Sequence, residues 1–117
     1  MVPSPEFEVV TRRAGDTFIV APVGDIDMAT APRLGEALSS PSTERLVLDL
    51  REVVFMDSQG VRLIMEQQRR AERDGFVFEV VRGPASVQRL LEMTGLLGRL
   101  RLIDAPGGSG ARDVDDS

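Results

Sequence analysis

The residues of this chain best equipped for chemistry are gathered in one turn, Asp57-Ser58-Gln59-Gly60. A Ser beside a carboxylate can serve as a nucleophile, a phosphate acceptor or a helix cap. A nucleophile elbow needs Gly two residues before the Ser, and Met56 stands there. Asp25, Asp27 and Asp57 all fall at expected strand ends, and hard oxygen ligands of this kind suit Mg2+ or Ca2+. Their spacing matches no known ligand loop. Capping accounts for them more simply, with Asp25 and Asp27 in a turn and Asp57 at a helix start. The Gly-Gly-Ser-Gly run at 107–110 is no phosphate loop, because no Lys follows it and no helix is predicted after it. No metal and no cofactor is expected.

The missing residue types narrow the chemistry further. There is no Cys, hence no disulfide and no thiolate metal site. There is no His, the side chain that titrates near neutrality without help. All 14 basic residues are Arg, which leaves no Lys for a Schiff base or a Ser–Lys dyad. Acid–base work would fall to carboxylates alone, and no nucleophile has a visible activating partner. An enzyme is not expected.

At 117 residues the chain has the length of one domain with a single core. Its 42% hydrophobic and 28% charged content is ordinary for a globular protein. A net charge of −5 argues against nucleic acid, which calls for a basic face. No apolar run approaches the roughly 20 residues that cross a bilayer, and the first residues lack the pattern of a signal peptide. A cytoplasmic protein without direct membrane insertion is the expectation.

The elements that must position the Asp57 turn follow from periodicity. Phe7 and Val9 alternate with Glu6 and Glu8, a half-buried strand. Ala14-Gly15-Asp16 is a turn, and Thr17–Val23 a second strand, so the two form a hairpin that Gly24-Asp25-Ile26-Asp27 closes. Thr30 is the expected N-cap of a helix whose face is Leu34, Ala37 and Leu38, ended by residues 39–42. Arg45–Leu50 reads as a strand covered on both faces.

The helix after the Asp57 turn should bury Val61, Ile64, Met65, Gln68 and Ala71 or Glu72, and end at Gly75. Asp57 or Ser58 is its cap, and Arg69, Arg70 and Arg73 form a solvated face near its end. Phe76–Val81 is a further strand, parallel to Arg45–Leu50 through a crossover. Gly83-Pro84 opens a third helix with Val87, Leu90, Leu91 and Thr94 on one face. Gly95 closes it, with Leu96 folding back on Leu91, and Leu100–Ile103 is a last strand. The fold class is therefore α/β: one domain at 6–104, a mixed sheet of about five strands with three or so helices on it. Residues 105–117 are expected to be a disordered acidic tail.

Three segments, in order and properly spaced, resemble the STAS domain and within it the bacterial anti-sigma factor antagonists. They are Gly24-Asp25-Ile26-Asp27 with Thr30-Ala31-Pro32, then Leu48-Asp49-Leu50 running on through Phe55-Met56-Asp57-Ser58 to Gly60-Val61, and Thr94-Gly95-Leu96. The resemblance implies a protein-binding module in a partner-switching pathway, not a catalyst. Its partner would be an anti-sigma factor that is also a serine kinase, and phosphorylation of the antagonist would end the contact. The implied interface is Asp57, Ser58, Gln59, Gly60 and Val61, with Asp27 and Thr30 at its edge and Arg62 beside them.

This chain departs from the family where the phosphate goes. The usual acceptor is the second residue after the Asp, and here that is Gln59. Either the chain is a constitutive antagonist, or Ser58 has taken over as acceptor, or the chain belongs to STAS proteins that lack the switch. Among the last, an accessory subunit docks on the ATPase of lipid-transporting ABC transporters, which is the alternative partner.

Overall fold

The computed structural model describes residues 7–39 and 42–105. Two strands open it, β1 (Phe7–Ala14) and β2 (Thr17–Ile26), paired antiparallel from Phe7 opposite Gly24 to Ala14 opposite Thr17. This is the predicted hairpin. β3 (Arg45–Asp49) runs parallel to β2, and its Leu46, Val47 and Leu48 are fully buried, as expected of a strand covered on both faces. β5 (Val77–Val81) lies parallel to β3, and β6 (Arg101–Ile103) parallel to β5. The order across the sheet is β1-β2-β3-β5-β6.

A sixth strand, β4 (Val53–Met56), was not expected. After β3 the chain is drawn toward β5, where the Leu50 N–H donates to the Val81 carbonyl. It then returns to β2, where the Gly24 N–H donates to Glu52 O at 3.0 Å. Asp49 holds the intervening turn by accepting from the Arg51 backbone and guanidinium. That hydrogen bond raises the Arg51 pKa beyond its already high value. β4 then pairs parallel with the end of β2, across a register shift between Gly24 and Asp25. Gly24 has φ of 113°, a conformation open to Gly and costly for any other residue.

Three helices pack on the sheet. α1 (Ala31–Ser39) buries Ala31, Leu34 and Leu38; α2 (Ser58–Asp74) buries Gly60, Val61, Ile64, Gln67 and Ala71; α3 (Ala85–Met93) buries Val87 and Leu91. Of these, Leu34, Leu38, Val61, Ile64, Ala71, Val87 and Leu91 join Leu46, Leu48, Phe78 and Val80 in one core. Ile19, Val47 and Val81 form a second, smaller cluster on the opposite pleat of the sheet.

Gln67, not Gln68, turns inward from α2. Both positions fit the helical period after Ile64, and Arg70 decides between them. Its guanidinium donates to Gln67 Oε1 at 2.8 Å and to the Leu38 carbonyl at 2.9 Å, 4.7 Å from the Phe76 ring centroid. Arg70 thus ties α1 to α2 and is no solvated residue, while Arg69 is exposed and Arg73 pairs with Asp74 on the surface. Gly75 ends α2 through an N–H bond to the Ala71 carbonyl. α3 closes in the predicted Schellman arrangement: Gly95, with φ of 76°, donates to Glu92 O and Leu96 donates to Leu91 O. Leu96 is buried in the main core. The 106–117 part of the expected tail, and Ser40 and Pro41 at the end of α1, lie outside the described residues.

Candidate functional site

β2 and β4 end side by side. Ile26 is the register partner of Met56, and the Asp57 N–H donates to Ile26 O at 3.1 Å. Each strand then feeds a helix, α1 through residues 27–30 and α2 through Asp57. Two helix starts therefore meet at the carboxyl ends of parallel strands, the pole where open α/β sheets place their ligands.

Asp27 organises the first turn. Its Oδ1 accepts from the backbone N–H groups of Ala29, at 3.0 Å, and Thr30, at 3.2 Å, an Asx turn. Thr30 was expected to cap α1 with its side chain, and the structure corrects this. Its hydroxyl faces backward, accepting from the Asp27 N–H at 2.9 Å and donating to the Asp25 carbonyl at 2.7 Å. The Thr30 carbonyl is what begins the helix, by accepting from Leu34 N–H. Thr30 locks the turn to the strand.

Asp57 is the cap of α2: its extended backbone has φ of −107°, and its carboxylate accepts from Gln59 N–H at 2.8 Å. Ser58 is then the first helical residue and is exposed, so the alternative of Ser58 as cap does not hold. Gln59 is half-buried and its Oε1 accepts from Arg62 Nη2 at 3.1 Å, which draws the guanidinium back toward the helix start. Gly60 and Val61 were included in the interface, but both are buried. A Cβ on Gly60 would strike Met56 and lie 3.1 Å from Ile26 Cγ2. Gly60 permits close approach of α2 to its own strand, and Val61 roots that turn in the core; they support the surface from beneath. Asp25 is exposed, while Asp27 and Asp57 each turn one carboxylate oxygen, Oδ1, to backbone N–H groups. Among the described residues no three acidic, His or Cys side chains are placed to hold a metal.

Apolar residues at this pole escaped the sequence reading. Met28 is 76% exposed between the two polar ends of its turn, and Val54 and Phe55, on β4, are 70% and 52% exposed. Phe55 is the register partner of Asp25. Single exposed apolar residues need no explanation, but three on the two segments that end at this pole offer apolar area that a partner could cover. The signal was present in the run Val53-Val54-Phe55-Met56, whose two ends are buried.

The α/β sheet thus presents at one pole the starts of two helices, a polar turn and exposed apolar side chains. Residues 8–106 match the family model of the STAS domain. The chain belongs to the STAS domain family. It is 30% identical over 90 residues to an anti-sigma F factor antagonist of Paenibacillus polymyxa, spanning 74% of this chain and 77% of that protein. Its fold is similar to that of an anti-sigma factor antagonist from Mycobacterium paratuberculosis, with a TM-score of 0.77 and 24% identity over 96% of this chain and 100% of the other. It is also similar to the phosphorylated form of the Bacillus cell fate determinant SpoIIAA, with a TM-score of 0.68 and 16% identity over 91% and 96% of the two chains. Among the described residues no helix is long and apolar enough to cross a membrane.

Proposed function

We propose that this chain is an anti-sigma factor antagonist that binds a kinase-type anti-sigma factor through the β2–β4 pole. The observation that carries the reading is the Asp57-capped start of α2, with Ser58 exposed beside it and Met28, Val54 and Phe55 exposed on the segments that lead into the two helices. Membership of the STAS family and the likeness to the Paenibacillus polymyxa antagonist support it. Asp57, Ser58, Gln59 and Arg62 form the polar centre of the contact, Asp27 and Thr30 hold its edge, and the apolar residues supply area.

Ser58 is the phosphate acceptor in this reading, since Gln59 has no hydroxyl. A phosphate adds about −1.5 to −2 charge at neutral pH. The first turn of α2 tolerates that charge, because its N–H groups and dipole favour anions. A close apolar contact does not. The modification would therefore spare the fold and break the complex.

The test is titration of the chain against purified serine-kinase anti-sigma factors with ATP, followed by mass analysis. Binding by the unmodified chain, with phosphate on Ser58 and none after Ser58→Ala, is the expected result. Binding without phosphorylation would make Gln59 the mark of a constitutive antagonist. In a parallel titration, binding to a purified ABC transporter ATPase and to none of the kinases would move the chain to the other STAS branch, for which Gln59 is the favouring observation.

A further inference from the structure

From Gln59 a groove of about 440 Å3 runs away from the helix start, between α1 and α2. Its apolar lining includes Met28, Gly35 and Leu63, and Arg62 and Glu66 stand along one wall. Gly35 lets α1 and α2 approach closely at the floor of the groove; a Cβ there would lie 3.1 Å from Leu63 Cδ2. Arg62 and Glu66 are both exposed and one helical turn apart, about 6 Å along the axis.

We infer that this groove receives a short amphipathic helix of the protein partner. That helix carries an apolar side chain toward Leu63 and Met28, a carboxylate toward Arg62, and a cation one turn on toward Glu66. The inference rests on the protein-binding reading above and names what the partner must present.

Three properties of the groove select this occupant. Apart from Met28 in the turn before α1, its walls are helices, whose backbone groups are largely paired within them, so it offers no strand edge. An occupant must therefore satisfy its own backbone, and a helix does so. The rim presents one cation and one anion in fixed order, which suits a peptide with both charges and discriminates against an anionic lipid headgroup. The net charge of −5 opposes such a headgroup as well. Finally, Gln59 lines the groove and belongs to the capped turn, so one partner can cover both.

The experiment uses the isotopically labelled full chain and a synthetic helical peptide of about four turns. The peptide carries a central Leu flanked by a Glu and an Arg one turn apart. Backbone amide shifts should saturate and concentrate at Met28, Gly35 and Leu63. Exchange of the rim charges, Arg62→Glu with Glu66→Arg, keeps the net charge and should weaken binding roughly tenfold. Exchanging the peptide's own Glu and Arg should restore it. Both rim residues are exposed, so the variant should fold as the parent does. Shifts that are absent, scattered over the surface, or indifferent to the exchange would overturn the groove assignment. Kinase binding by the parent chain and by Asp57→Asn reads the β2–β4 pole separately, so either idea can fail while the other stands.

Discussion

Gly60, in the first turn of α2, rests directly on the side chain of Met56, the last residue of β4. A Cβ at Gly60 would overlap Cγ and Sδ of Met56 and reach Ile26 on β2 as well. One contact thus fixes the height of the α2 start above two strands, and with it the position of Asp57 and Ser58.

Gly60→Ala should therefore destabilise the fold by about 1–3 kcal/mol, the usual cost of overpacking. The better helix propensity of Ala, worth about 1 kcal/mol, does not offset an overlap with a buried side chain. Chemical denaturation measures the loss. In the double variant Gly60→Ala/Met56→Ala the two costs should fail to add, because the shortened Met56 makes room. Full additivity would place the strain elsewhere.

Asp57 caps α2 and, in the proposed function, also meets the partner; two substitutions separate these roles. Asp57→Ala removes the bond to Gln59 N–H and should cost about 1 kcal/mol. Asp57→Asn keeps a capping oxygen and discards the charge, so thermal stability should stay near that of the parent. Affinity for the anti-sigma factor should fall in both. An Asn variant that binds as the parent does would show that the carboxylate serves the helix alone.

Thr30→Val should unsettle the other half of the pole. It leaves the Asp27 N–H without its acceptor and the Asp25 carbonyl without its donor. The Asp25 carbonyl is open to water and the Asp27 N–H only part-buried, so the loss should be about 1 kcal/mol, while Thr30→Ser keeps the hydroxyl and should be close to neutral. Melting temperatures of the two variants decide the point; equal melts would mean that the hydroxyl is dispensable.

Local chemistry made much of this arrangement readable from the residues. Asp57 as a cap, Gly75 as a helix end, and Thr94-Gly95-Leu96 as a Schellman ending depend on neighbours within one or two turns, and each stands as expected. What escaped was set by distant partners. β4 exists because Gly24–Ile26, far upstream, offers its second edge. Gln67 faces inward because Arg70 reaches across to Leu38. Thr30 turns backward because the Asp25 carbonyl lies behind it. Gly60 belongs to the interface that the family resemblance implies, and only the packing of Met56 beneath it shows that its own strand fills the space a side chain would take.

Far from the pole, the surface pair Arg73–Asp74 gives a check on the electrostatics. The Arg73 guanidinium, hydrogen-bonded at 3.0 Å, holds the Asp74 carboxyl below the ordinary aspartate range. A folded pKa below the unfolded one stabilises the protein at pH values above the unfolded pKa. That contribution is lost as the pH falls through the lower, folded value. Carboxyl NMR titration should find Asp74 depressed in the parent and returned toward normal in Arg73→Gln. Because both side chains are exposed, stability at neutral pH should barely change.

The central claim is that the β2–β4 pole is where this chain engages an anti-sigma factor. The most direct measurement adds purified chain to a preformed complex of a serine-kinase anti-sigma factor with its sigma factor and follows sigma release. Release should rise with concentration of the parent chain. It should fall sharply for Asp57→Asn and for Phe55→Asp, both with an unchanged circular dichroism spectrum. Undiminished release by both variants, or no release by a folded parent chain that binds the anti-sigma factor, would contradict it.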